Sequence, residues 1–121
     1  MTPRSLLLTA AAALVLAAPA AAARTHASAG LVGEVGPGYT IEVNLKGKDV
    51  KTLKAGTYRI LIEDKAAIHN FHLFGPGLNK KTTVAFQGKQ TWTITLRKGT
   101  YHYQCDPHAS FGMKGSFRVT S

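Results

Sequence analysis

The feature that most restricts the fold is a period-two alternation of apolar and polar residues in several short runs. Trp92, Ile94 and Leu96 are separated by Thr93 and Thr95, and Tyr58, Ile60 and Ile62 share one parity with Arg59 on the other. Tyr101, Tyr103 and Cys105 are opposed by His102 and Gln104, while Phe117 and Val119 are opposed by Ser116 and Arg118. Side chains on a strand point to alternate faces, so each run offers one apolar face to a shared core. No stretch beyond the N-terminal segment sustains helical periodicity. The pattern predicts strands over residues 31–35, 40–45, 56–63, 70–74, 82–86, 90–96, 100–105 and 115–120, separated by Gly, Pro, Asn and Asp. Gly88, Lys89 and Gln90 read as a turn, and Arg97-Lys98-Gly99 as a tight turn between two long strands. About seven to eight strands in one small domain imply an all-β fold, a two-sheet Greek-key β-sandwich.

The N-terminus has a different texture. Arg4 precedes an alanine- and leucine-rich stretch that is broken at Pro19 and ends in the small residues Ala21, Ala22 and Ala23. A positive start, an apolar middle and a small-residue end describe a secretory signal peptide over residues 1–23, with a second cleavage option at Ala27-Ser28-Ala29. A membrane anchor would need about 20 strongly apolar residues, so no span is expected after cleavage. Residues 24–29 read as a flexible lead-in, and residues 30–121 as one domain. The expected location is the bacterial periplasm or the exterior.

Oxidising compartments favour disulfides, yet Cys105 is the only cysteine. A lone thiol in an exported chain needs protection or a purpose, and metal ligation supplies both. The formal net charge is +9, with lysines and arginines scattered along the chain. Nucleic acid is a poor match for an exported protein without a nucleic-acid module. A solvated basic surface and an acidic protein partner both fit the charge.

Chemistry gathers near the C-terminus, where Cys105, His108 and Met113 fall within nine residues. Soft sulfur with imidazole favours copper, and a trigonal His₂Cys set with a weak axial Met is the blue-copper arrangement. The second histidine is sought in Ile68-His69-Asn70-Phe71-His72-Leu73. On an extended segment His69 shares its parity with Phe71 and Leu73, so His69 is preferred over His72 as the inward-facing ligand. His102 has outward parity, and His26 lies in the lead-in. Asp106, beside Pro107, reads first as a turn residue and second as a carboxylate close enough to lower the site's potential or to bind a partner's lysine.

The His69-Asn70 pair and the Cys105-x-x-His108-x-x-x-x-Met113 spacing resemble the cupredoxin family, in particular its plastocyanin- and pseudoazurin-like small blue copper proteins. The resemblance runs from about Gly30 to the C-terminus. It implies one type 1 copper ion held by His69, Cys105, His108 and Met113, with Asn70 hydrogen-bonding around the cysteine loop. It also implies a one-electron carrier, not an enzyme, expected as a monomer. Redox partners would dock at an apolar patch around His108, framed by Phe74, Gly75, Pro76, Gly77, Pro107, Ala109 and Phe111. The alternative is a periplasmic copper chaperone using the same ligands; a metal-free β-sandwich would leave the Cys-His-Met spacing to chance.

Overall fold

A computed structural model describes residues 11–15 and 28–121 of the chain. The proposed leader, its cleavage sites up to residue 27, and His26 lie outside the described residues except for residues 11–15, which are exposed and have no regular secondary structure. Among the described residues no helix is long and apolar enough to cross a membrane.

Among the described residues ten strands form two five-stranded sheets. In chain order they are β1 (Ser28–Val35), β2 (Ile41–Leu45), β3 (Lys48–Asp49), β4 (Thr52–Lys54), β5 (Gly56–Asp64), β6 (His72–Gly75), β7 (Leu78–Lys81), β8 (Gly88–Leu96), β9 (Gly99–Gln104) and β10 (Lys114–Thr120). One sheet runs β3-β2-β1-β5-β8 and the other β4-β10-β9-β6-β7. Both are mixed: β1 is parallel to β5 and β10 is parallel to β4, while the other pairs are antiparallel. The sandwich expected from the alternation is present.

The alternation also predicts what is buried. Trp92, Ile94 and Leu96 of β8, Tyr101 and Tyr103 of β9, and Phe117 and Val119 of β10 all face the core, while Thr93, Thr95, His102, Ser116 and Arg118 between them are exposed. Phe71 stacks on Tyr103 at a centroid distance of 6.1 Å and meets Trp92 edge-on at 6.2 Å, joining the two sheets. Gly33 makes room for it: a Cβ there would lie 2.6 Å from the Phe71 ring. At the other end of β9, the Tyr101 hydroxyl donates to the Pro76 carbonyl at 2.6 Å and accepts from the Arg97 amide at 3.0 Å. Tyr101→Phe leaves both backbone groups without that partner, so a loss of about 1–3 kcal/mol is expected in urea unfolding.

Several sequence expectations are corrected. Residues 82–86 are β-prone but form a loop, because Thr82 turns inward: its Oγ1 accepts from the Phe71 amide at 2.9 Å, and its own amide donates to the Phe71 carbonyl at 3.0 Å. Lys89 and Gln90 belong to β8, paired with Glu63 and Ile62, and not to a turn. Ser28 and Ala29 of the expected lead-in are already in β1. The strand expected at residue 70 begins at His72, so Asn70 is buried along with His69 and Phe71 instead of alternating with them.

Candidate metal centre

Each sulfur and nitrogen at the site is placed by a neighbouring element. Cys105 follows β9 directly and continues its inward parity, fully buried behind Tyr103. A short 3-10 helix, Asp106–Phe111, then turns the chain back, with Pro107 near its start and Gly112 ending it at φ 92°. That positive φ suits glycine. The turn is closed by backbone bonds: the Cys105 amide donates to the Met113 carbonyl (3.0 Å), the His108 amide to the Cys105 carbonyl (3.0 Å), and the Met113 amide to the His108 carbonyl (3.3 Å). Met113, fully buried, is thereby fastened beside Cys105 just ahead of β10. His69 arrives from the link between β5 and β6, its amide donating to the Ala66 carbonyl at 3.3 Å. Gly36, at φ +75°, lets the backbone approach that ring; a Cβ there would stand 3.0 Å from His69 Cδ2.

These constraints bring His69, Cys105 and His108 together. The two Nδ1 atoms face each other at 3.0 Å, and Cys105 Sγ lies 3.6 Å from His69 Nδ1 and 3.4 Å from His108 Nδ1. It is the one such group of metal-ligating His, Cys, Asp or Glu side chains among the described residues. Two imidazole nitrogens and a thiol sulfur in one buried space bring more lone pairs than protons to share, a mismatch that a cation resolves. Bonds of about 2.0–2.3 Å to a single ion hold neighbouring ligand atoms about 3–4 Å apart, so the donors fit one metal ion in type and in spacing. His72 is not in the group; it points to the outer face of β6, where it meets Asp106 and Asn79. His102 is exposed on the same outer face, as its parity predicts.

Asn70 sits against the cysteine loop. Its Oδ1 accepts from the Asp106 amide at 2.7 Å, and its Nδ2 donates to Asp106 Oδ2 at 2.9 Å. Asp106 does occupy the turn, as expected, but its carboxylate is also a hub, since Oδ1 accepts from Gln104 Nε2 at 2.8 Å and faces His72 Nδ1 at 2.8 Å. Partial burial works against the Asp106 charge, but the hydrogen bonds from Gln104, His72 and Asn70 outweigh it and hold the carboxyl at about 2, below the ordinary 3.8. A carboxyl lowered on folding stabilises the fold above its unfolded value, and that contribution disappears as pH falls through its folded value. The acid limb of the copper-free protein's stability curve should therefore descend between about pH 4 and pH 2, and Asp106→Asn should flatten it. Asp106 is about one-third exposed, so solvent screening keeps the effect small.

Two aromatic residues cover the site. Tyr39, exposed, meets His108 edge-on at 4.9 Å and His69 at 5.7 Å, and Phe111 lies 6.3 Å from His108. Tyr39, His108 and Phe111 line a shallow cavity of about 320 Å³. The segment from Phe74 to Gly77 does not frame His108. Pro76 and Gly77 close the β6–β7 hairpin against Gly99 and Arg97, at the start of β9, whereas Cys105 follows its end. Phe74 instead stacks on His102 at 5.5 Å on the outer face. Sequence reasoning missed Tyr39, whose only signal is an exposed aromatic after a Gly-Pro-Gly turn.

A β-sandwich that closes two histidines and a buried cysteine at one end, with a methionine fastened beside them, defines a small copper-binding protein. Residues 39–120 match the family described as copper binding proteins, plastocyanin/azurin family, and the chain belongs to that family. A segment of 32 residues, 26% of this chain, is 53% identical to plastocyanin of Daucus carota; the match spans about a third (33%) of that relative's length. In fold the chain is similar to the copper protein rusticyanin, with a TM-score of 0.56 at 23% identity over 74% of this chain and 76% of that one. It is also similar to an oxidised amicyanin variant, with a TM-score of 0.50 at 20% identity over 75% of this chain and 82% of that one. These two likenesses bear on the fold.

Proposed function

We propose that the protein is an exported one-electron carrier whose copper is held by His69, Cys105, His108 and Met113. The observation that carries this reading is the convergence of two Nδ1 atoms and one Sγ within 3.6 Å, with Cys105 and His69 buried and His108 part-exposed. Bound copper supplies a reversible Cu(II)/Cu(I) couple. Cys105, as thiolate, is the strong soft donor, and copper affinity depends on its deprotonation. His69 and His108 would supply the two imidazole donors, and Met113 would add a weak thioether contact that tunes the potential. Asn70 restrains the loop through its two bonds to Asp106. A ligand set supplied wholly by the protein favours electron carriage over catalysis.

His108 is the proposed electron doorway, framed by Tyr39 and Phe111. The charge distribution supports an acidic redox partner: the sheet containing β9 carries Lys54, Lys80, Lys81, Lys114 and Arg118 on its strands and no carboxylate. Such a field steers encounter more than it adds affinity, and redox encounters are small and transient, in keeping with a protein that works as a monomer.

One equivalent of Cu(II) added to residues 24–121 is expected to give an intense blue thiolate-to-copper band and a narrow copper hyperfine splitting. A pale, ordinary Cu(II) spectrum would move the reading to copper carriage, and no binding to a metal-free sandwich. Met113→Leu should keep the blue band and shift the reduction potential, read by spectroelectrochemistry; an unchanged potential would remove Met113 from the ligand set.

A further inference from the structure

The two histidines three residues apart, His69 and His72, divide into different tasks. We infer that His72 is a positioning residue: clamped between Asp106 and Asn79, it latches the residue after Cys105 and sets the copper site's potential without touching the metal. This rests on the proposed ligand set and extends it beyond the four ligands and Asn70.

The latch draws on β6, β7, β9, the turn after Cys105 and the link before β6. His72 stands on β6, opposite Gln104 of β9 and Lys81 of β7. Its Nδ1 is 2.8 Å from Asp106 Oδ1 and its Nε2 is 2.6 Å from Asn79 Oδ1 on β7. The Phe74 ring, 4.9 Å away, packs beside the imidazole. A ring held at both nitrogens and against an aromatic neighbour has little rotational freedom left. An ionised carboxylate only accepts hydrogen bonds, so Nδ1 donates to Asp106. The same carboxylate takes Gln104 Nε2 on Oδ1 and Asn70 Nδ2 on Oδ2, while the Asp106 amide donates to Asn70 Oδ1. Every polar group of Asp106 ahead of its carbonyl is thus engaged, and the peptide joining it to Cys105 is held from two sides.

The electrostatic consequence follows from position. Asp106 brings a carboxylate next to the residue that carries the sulfur. Negative charge there favours Cu(II) over Cu(I), and a donor shared with that carboxylate draws its field away from the metal. His72 is one of three side-chain donors to Asp106, and the one that ties the carboxylate to β7 through Asn79. The side chains of His72 and Asp106 are 17% and 33% exposed, so water screens the carboxylate in part and the expected shift in potential is modest.

The test uses the copper-loaded protein for potential and the copper-free protein for the loop. His72→Ala is expected to retain the blue band, lower the reduction potential, and speed hydrogen exchange at the Asp106 amide in the copper-free state. Asp106→Asn should raise the potential, and adding His72→Ala to that variant should then shift it far less, because the two residues act as one unit. His72→Gln, whose amide can reach toward Asp106, should recover part of the lost protection. An unchanged potential in His72→Ala, equal shifts in both backgrounds, or loss of the blue band in His72→Ala would overturn the inference. A wild-type protein without a blue band would overturn the ligand set instead, and Asp106 amide exchange would still decide whether His72 latches the loop.

Discussion

Cys105→Ser is expected to abolish the intense visible band and the narrow copper hyperfine pattern. The sulfur is the only soft anionic donor the chain has, as Cys105 is its single cysteine and is fully buried between the two imidazoles. A serine hydroxyl keeps the shape but not the chemistry: it stays protonated where a thiol near a metal ionises, and it is a hard oxygen donor in place of soft sulfur. Losing an outer partner of a metal ligand costs about 10–100-fold in affinity, and losing the ligand itself should cost more. Copper titration followed by absorption and paramagnetic resonance checks this. A surviving blue band would mean that the color does not arise at Cys105 and would remove the basis of the proposed centre. Thermal unfolding of the copper-free variant should change little, because serine and cysteine differ by one atom; that separates loss of metal from loss of fold.

Phe71→Ala should produce the largest loss of stability, about 3–5 kcal/mol in urea unfolding of the copper-free protein. Phe71 is completely buried, stacked on Tyr103 and edge-on to Trp92, and it fills a space that Gly33 leaves open. No neighbouring backbone can collapse into the hole without moving a strand, so the cavity cost adds to the transfer cost. Against a typical stability of about 5–15 kcal/mol, the variant would sit close to unfolding. Because Phe71 is two residues from His69, copper affinity should fall as well. A loss below about 1 kcal/mol would mean that the sheets repack across this gap, contrary to the close-packed interior expected of a core.

The elements readable from sequence are those whose burial is set by parity over a long run. β8 and β9 are the clearest cases, since Trp92, Ile94, Leu96, Tyr101 and Tyr103 are spaced by two and all point inward. β3, β4 and β7 went unseen because they are short and rich in lysine, as edge strands commonly are. The loop at residues 82–86 looked like a strand because a single side-chain bond, Thr82 to the Phe71 amide, overrides local β preference. Among the site residues, Cys105, His108 and Met113 were readable because one loop holds them, and His69 because its apolar neighbours mark the inner face. Tyr39 and the His72–Asp106 pair were not, since nothing local announces a partner 34 residues away. Only the pairing of β6 with β9 brings that pair into reach.

The hairpin connection between β9 and β10 carries Cys105, His108 and Met113 on one short tether, while His69 comes from far upstream. Donors so close along the chain remain at high mutual concentration even when the protein is denatured, so a denatured chain should still chelate copper through those three. Metal that binds both states stabilises the folded one only by the difference between its two affinities. On the proposed ligand set that difference rests on His69, the one donor that folding must deliver. Copper should raise the melting temperature of the native protein and should raise it far less once His69 is alanine, which makes this histidine the coupling between loading and folding.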